Sequence, residues 1–279
     1  MKSLQLLYPL YRLVHHAARR DNALSRRLYD LCIAYVRSYN NLNYDPVTNG
    51  EYLILDRLVP FSPKVVFDVG ANKGQYSLAC LRHFPAAVVH AFEIVPKTAA
   101  TLVENLAQEE RVTINSFGLS DVCGAEEVNL NEMPSYDEFA SLIGPAVTAV
   151  HEGPGWTKQS LPVTRGDAYC SERGISRINL LKLDVEGAEH KVLRGFDSMM
   201  HRAAIDVVQF EFGMASVDSK FLLKDFWQLF SARDFVLGPV MPNGVRFRDY
   251  DYRIEDFQGP PNFLAVHRSK PELIAALKL

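Results

Sequence analysis

One stretch constrains this chain more than any other: residues 64 to 77, KVVFDVGANKGQYS. Val65, Val66 and Phe67 form a short apolar run of β-branched and aromatic residues, which reads as a buried strand. Asp68 closes the run. The segment Gly70-Ala71-Asn72-Lys73-Gly74 then supplies a tight turn, and a helical pattern begins at Gln75. Strand, acid, glycine turn and helix together make the first unit of a nucleotide-binding α/β sheet. A dinucleotide fingerprint has three glycines and bare amides for a pyrophosphate. Here the third glycine is missing, and a carboxylate stands at the mouth of the turn. That charge repels phosphate and favours a cationic ligand without one. S-adenosylmethionine, with its sulfonium and ammonium, fits. Gly70 and Gly74 are expected to let the backbone approach it closely. The plain alternative is a structural turn capped by Asp68.

A second carboxylate weighs against that alternative. The apolar run Ala87 to Phe92 ends in Glu93, 25 residues after Asp68. An acid at the tip of a second strand accepts hydrogen bonds from both ribose hydroxyls of an adenosyl group. A third strand, Val112 to Phe117, runs into Gly118-Leu119-Ser120-Asp121. Ser120 and Asp121 fall where a strand tip would meet an adenine, although an ordinary Asp-initiated turn reads the same way. The strand Ile178 to Leu183 leads into Asp184, Glu186, Gly187 and Glu189, then a helix through Val192, Leu193 and Phe196. Strand alternation turns Lys182, Asp184 and Glu186 toward one side. Glu189, in the first helical turn, also suits the helix dipole. The strand Ile205 to Phe210 ends in Glu211. Ligands of open α/β sheets bind outside the carboxyl ends of the strands, so these acids point to one site.

The remainder is less specific. Residues 1 to 48 read as a helical extension and linker, with Leu24, Leu28, Leu31, Tyr35 and Tyr39 at helical spacing and arginines on the other face. It suits a cap on the main domain, a homodimer contact or an anionic surface. Residues 49 to 279 form the main domain, entered by a short helix from Glu51 to Leu58. Within it, residues 122 to 165 read as a loop-rich lid or insertion, with a strand-like alternation at Val128 to Asn131 and with His151 and Trp156 as substrate-facing candidates. Arg246, Arg248, Tyr250, Tyr252 and Arg253 suit either an anionic or sugar-bearing substrate or a polar edge hairpin. A net charge of -3 gives no basic field for nucleic acid, and no membrane span or signal peptide is read. Four widely spaced cysteines read as reduced, mostly core thiols of a cytoplasmic protein.

The segments DVGANKGQYS, FEIVP, GLSD, LLKLDVEGAEHKVLRGF, QFEFG and NFLAVHR, in that order, resemble the FkbM-type methyltransferases from about Asn49 to His267. The resemblance implies an α/β fold of class I methyltransferase (Rossmann-like) type, a seven-stranded, mostly parallel sheet flanked by helices. It also implies S-adenosylmethionine as cofactor and a hydroxyl acceptor on a sugar, glycan or secondary metabolite. Carried over, Asp68, Gly70, Ala71, Asn72 and Gly74 hold the methionine end, Glu93 the ribose, and Ser120 and Asp121 the adenine side. Asp184 joins the cofactor set, and the Lys182 to Glu189 segment lines the methyl-transfer site. A hydroxyl acceptor must lose its proton, so Glu186 is the first candidate base and His151 the second, with Lys182 orienting the acids. Magnesium on Asp184, Glu186 and Glu211 is a variant that acid density alone supports. A nicotinamide oxidoreductase and a non-catalytic S-adenosylmethionine-binding protein are the rivals. The acceptor is not implied.

Overall fold

The computed structural model describes residues 9, 11, 12, 14–16, 18, 19, 22–131, 140, 141, 156–213, 215–252 and 259–279. Helix α1 (Ala23–Tyr39) is capped by Asn22, whose side chain accepts from Ser25 N, and it buries none of its 17 residues. After it come α2 (Glu51–Leu58), β1 (Val65–Val69), α3 (Gln75–His83), β2 (Val88–Phe92), α4 (Pro96–Leu106) and β3 (Val112–Asn115). Pro96 sits in the first turn of α4, where its missing N–H costs nothing. Three strands follow, β4 (Gly118–Ser120), β5 (Gly124–Asn131) and β6 (Ala140–Ser141), then β7 (Trp156–Arg165) and α5 (Gly166–Glu172). The second half runs β8 (Ile178–Leu183), α6 (Glu189–Gly195), α7 (Asp197–His201), β9 (Ile205–Glu211), α8 (Ala215–Asp218) and α9 (Leu223–Ser231). It closes with β10 (Phe235–Met241), β11 (Gly244–Val245), β12 (Asn262–His267) and α10 (Pro271–Leu277). Among the described residues no helix is long and apolar enough to cross a membrane.

The main sheet has the order β11-β10-β12-β9-β8-β1-β2-β3. β1, β2, β3, β8 and β9 are parallel, while β12 runs antiparallel to both β9 and β10. This is the expected α/β sheet with one strand more than seven, because the two-residue β11 turns back along β10. Registry explains why both faces are buried. Val66, Leu180 and Val207 pair side by side and pack under Ile54, Leu55 and Leu58 of α2 and Leu273 and Leu277 of α10. One residue further along, Phe67, Leu181 and Val208 point the other way, onto Phe196, Phe226 and Phe230.

Three sequence expectations are corrected here. The third strand does not run to Phe117: β3 stops at Asn115, and β4 joins a different sheet, of order β4-β7-β5-β6. Residues 122 to 165 are not loop throughout either. β5 and β7 pair antiparallel from Gly124↔Val163 to Asn131↔Trp156, and Val128, Leu130, Leu161 and Val163 are buried beneath them. Alternating apolar residues at both ends of the segment give that hairpin a face to bury. His151 lies outside the described residues. Of the four free cysteines, Cys80 and Cys170 are buried, but Cys32 and Cys123 are exposed, so only half are core thiols.

Candidate active site

The β1 turn is built by backbone geometry. Gly70 has φ +81° and Gly74 φ +90°, and Asn72 also adopts the left-handed region at φ +48°, which asparagine tolerates better than most side chains. The amides of Gly70 and Ala71 both donate to Phe92 O at 2.9 Å, so the turn folds over the end of β2. The bareness of both glycines serves the protein's own packing. A Cβ on Gly70 would lie 1.8 Å from the Asp184 carbonyl oxygen, and one on Gly74 would meet the Leu102 and Leu106 side chains. Ala71 is buried, beside Ala91, Leu102 and Leu106.

Glu93 sits at the tip of β2 and is 6% exposed. Its Oε2 accepts from Asn72 N at 2.9 Å and its Oε1 from Val95 N at 2.8 Å. Burial pushes its pKa up, against those two backbone hydrogen bonds. A carboxylate oxygen has two lone pairs, so both oxygens keep acceptor capacity. Beside it, the buried Asn72 Oδ1 has no partner. A buried orphan acceptor next to a fixed carboxylate suits a ligand rich in hydroxyl and amine donors. This set of acceptors therefore fits an adenosyl cofactor.

Asp68 plays a different part. It is 1% exposed and accepts from Ser77 Oγ at 2.6 Å. The sheet register sets Asp68 beside Lys182 and Lys182 beside Gln209, on the face that carries Val66, Leu180 and Val207 one rung earlier. Lys182 Nζ donates to Asp184 Oδ2 at 2.9 Å, lies 4.0 Å from Glu51 Oε2 and stands over the Tyr76 ring. Gln209 Nε2 donates to Glu51 Oε2 at 2.8 Å. Asn49 Oδ1 in turn accepts from Glu51 N at 2.8 Å. Lys182 is thus a buried counter-ion under the site. Its neighbouring carboxylates raise its pKa, although burial alone would lower it. Burial raises Asp68 against the Lys182 charge.

Above this layer lie Asp184, Glu186, Glu189 and Glu211. The Asp184 side chain is 36% exposed. Burial opposes its ionisation, but the Lys182 ammonium and hydrogen bonds from Glu211 and Lys182 outweigh it and hold its pKa below the usual carboxylate value. Glu211 is pushed well up, by burial first and then by the Asp184 charge. The two carboxyls act on each other in opposite senses, Asp184 being held low and Glu211 high. Glu186 rises to about 8, through burial and then the charges of Asp184 and Glu189. It has φ +51°, a conformation rare outside glycine and common where chemistry needs a side chain aimed. Glu189 rises to about 7 through burial. Its Oε1 accepts from Val185 N at 3.0 Å and Gly187 N at 3.4 Å, while its buried Oε2 has no partner. Among the described residues no group of three His, Cys, Asp or Glu side chains is arranged to hold a metal.

Ser120 and Asp121 depart from their expected place. Ser120 ends β4 in the second sheet, with Asp121 just after it, rather than the third strand of the main one. Ser120 is fully buried, and its hydroxyl donates to Glu126 Oε1 at 2.9 Å. Glu126 Oε2 in turn accepts from Lys191 Nζ. Three residues escaped the sequence reading: Glu51, Gln209 and Tyr44. Glu51 heads α2 on the same helical face as Ile54, Leu55 and Leu58, and an acid in an apolar stripe is a readable signal. Tyr44 has no such signal. Partial burial, then the charges of Glu211 and Glu186, raise its pKa, although its side chain stays largely exposed.

The acids set the pH dependence of stability. Asp68, Glu93, Glu186, Glu189 and Glu211 all have folded pKa values above those of an unfolded chain. Each such group contributes stability that is full below about pH 4 and is lost as the pH rises through its folded value, about 7 for Glu189 and about 8 for Glu186. Asp184, held low, acts the other way, and its contribution disappears only as the pH falls below the usual carboxylate range. The melting temperature of the ligand-free protein is therefore expected to fall between roughly pH 5 and pH 9. A scan of thermal unfolding against pH that rises over that range would contradict the assignment.

An open, mostly parallel sheet with an antiparallel strand near one edge, carrying a Gly-rich first turn and acids at its carboxyl ends, defines a class I methyltransferase fold. The methyltransferase FkbM domain model matches residues 68–253, well over half of the chain, and the chain belongs to that family. It is 34% identical over 159 residues to the 31-O-demethyl-FK506 methyltransferase FkbM of Streptomyces tacrolimicus, covering 48% of this chain and 59% of that protein. It is 29% identical over 139 residues to the 2-O-methyltransferase NoeI of Sinorhizobium fredii, covering 47% and 56%. The chain spans no more than 59% of either relative's length. A crystal structure of the methyltransferase FkbM from Methylobacillus flagellatus aligns with a TM-score of 0.44 at 16% identity, covering 74% of this chain and 44% of that one.

Proposed function

We propose that this chain is an S-adenosylmethionine-dependent methyltransferase that methylates a hydroxyl oxygen on a sugar, glycan or secondary metabolite. The observation that carries the reading is the carboxylate of Glu93, pinned by two backbone amides beside the orphan Asn72 Oδ1. The similarity to relatives named as a 31-O-demethyl-FK506 methyltransferase and a 2-O-methyltransferase supports a hydroxyl acceptor. When bound, S-adenosylmethionine supplies an electrophilic methyl group on a sulfonium.

The chain's own residues do the rest. Glu93 accepts from the ribose hydroxyls, and Asn72 Oδ1 takes a further donor. Asp184, kept ionised and partly exposed, attracts the cationic end of the cofactor. Lys182 and Asp68 stay beneath and fix the height of that carboxylate. Most of the rate enhancement comes from holding the acceptor oxygen in line with the methyl group, an effect of up to roughly 7–11 kcal/mol. Glu186, with a pKa of about 8, is matched to a general base near neutral pH and takes the acceptor's proton.

Glu186→Gln is expected to lower kcat by roughly 10²–10⁴-fold while S-adenosylhomocysteine affinity stays within about twofold. Wild-type turnover should rise with pH to a midpoint near 8, and the variant should lose that dependence. Radiolabelled methyl transfer to a panel of hydroxylated acceptors measures both. Undiminished turnover by Glu186→Gln would remove Glu186 as the base.

A further inference from the structure

One cavity on the carboxyl side of the sheet has no part in the chemistry above. It holds about 360 Å³ and is lined by Tyr39, Met241, Arg246, Arg248, Asp251 and Phe263, among others. The register fixes its position. Asn262 pairs with Glu211, Phe263 with Phe210 and Pro239 with Phe263. The cavity therefore begins one to two strands from Glu211, roughly 5–10 Å at ordinary strand spacing. A single stretch of chain borders the cavity. Tyr39 lines it, and two residues further on Asn41 Nδ2 donates to Val240 O at 3.1 Å, beside the cavity-lining Pro239 and Met241.

The two arginines stand near each other. Partial burial and the Arg246 charge hold the pKa of Arg248 below its ordinary value, and Asp251 offsets this only in part. Like charges collected in a concave site repel each other until an anion comes between them. A guanidinium pair presents forked donors that match the oxygens of a carboxylate, sulfate or phosphate.

We infer that this cavity is an acceptor subsite, in which Arg246 and Arg248 bind an acidic group of the acceptor and so turn its hydroxyl toward Glu186. The inference rests on the methyltransferase reading and adds the substrate class: an acidic, sugar-sized or larger metabolite. Tyr39 forms the outer wall of the subsite, and Asp251 competes with the ligand for Arg248.

The test uses the full chain saturated with S-adenosylhomocysteine, titrated with glucuronate, glucose 6-phosphate and glucose. At least one acid should bind about tenfold or more tightly than glucose. Which acid does so separates a carboxylate from a phosphate ligand. The double variant Arg246→Gln/Arg248→Gln should reduce that preference below about twofold, with S-adenosylhomocysteine affinity and helix content unchanged. Asp251→Asn should strengthen acid binding severalfold, which a merely structural pair of arginines would not produce. Equal binding of acids and glucose, or acid binding that survives the double variant, would overturn the subsite. Failure of the wild-type protein to bind S-adenosylhomocysteine would instead strike the methyltransferase reading. Intact cofactor binding without acid preference would strike only the subsite.

Discussion

Gly70→Ala is expected to destabilise the fold by more than about 3 kcal/mol and to abolish binding of S-adenosylhomocysteine. The backbone at Gly70 has φ +81°, where an L side chain alone costs roughly 1–2 kcal/mol. The larger part is a collision. The new Cβ would lie 1.8 Å from the Asp184 carbonyl oxygen and 2.7 Å from its carbon, and both belong to the backbone. Neither can rotate away. Relief requires the tips of β1 and β8 to part, which breaks the Asp184 N to Val69 O hydrogen bond of 2.9 Å and displaces the acid cluster. Gly74→Ala is a useful contrast. Its Cβ would meet the tips of Leu102 and Leu106 at 2.9 and 3.0 Å, and leucine side chains can yield. Thermal unfolding and titration of both variants measure the difference. A Gly70→Ala protein that melts within about 1 kcal/mol of wild type would show that β1 and β8 are not this close.

Lys182→Met should cost roughly 3–5 kcal/mol near pH 8, the usual penalty for orphaning a buried charge. The Lys182 side chain is 6% exposed, and its charge acts on Asp184, Glu51 and Asp68. Methionine keeps an unbranched apolar stem, one atom shorter, and removes the charge. The carboxylates left behind then rise in pKa, because burial is no longer opposed. A group whose folded pKa is raised stabilises most below its unfolded pKa and loses that contribution as the pH rises through the folded value. The gap between variant and wild type should therefore close as the pH falls toward 5 and widen toward 8. Denaturant unfolding at the two pH values measures it. A constant gap would mean that packing, not charge, makes Lys182 important.

Much of the sheet was readable because its signals are local. The run Ile178 to Leu183 and the helix Glu51 to Leu58 appear with the boundaries their apolar patterns suggest. Local pattern is also why Asp68, Glu93, Asp184 and Glu211 could be set at strand tips. What escaped depends on pairing between distant segments. Val112 to Asp121 looks like one strand and a turn, yet the chain changes sheets after Asn115, and β4 finds its partner in β7, with Gly118 opposite Val163. That choice carried Ser120 and Asp121 away from the third strand. The layer beneath the site is long-range as well: Gln209 and Glu51 meet across 158 residues. Lys182 was visible as a charge near acids, but its burial beneath them depends on Tyr76 and Gln209, which no pattern around Lys182 announces. The glycines show the reverse case. Their need was legible, and their reason was not, because the Asp184 carbonyl approaches Gly70 through the fold rather than through a ligand.

The most direct test of the account is calorimetric titration of the wild-type chain with S-adenosylhomocysteine, run beside Glu93→Ala and Glu186→Gln. The expected result is one site of about micromolar affinity in wild type, unchanged within about twofold in Glu186→Gln. In Glu93→Ala it should weaken by roughly tenfold to a hundredfold, as expected for a lost charge-assisted acceptor. Absence of binding to wild type, or equal binding to the folded Glu93→Ala variant, would contradict the assignment of this sheet edge as an S-adenosylmethionine site.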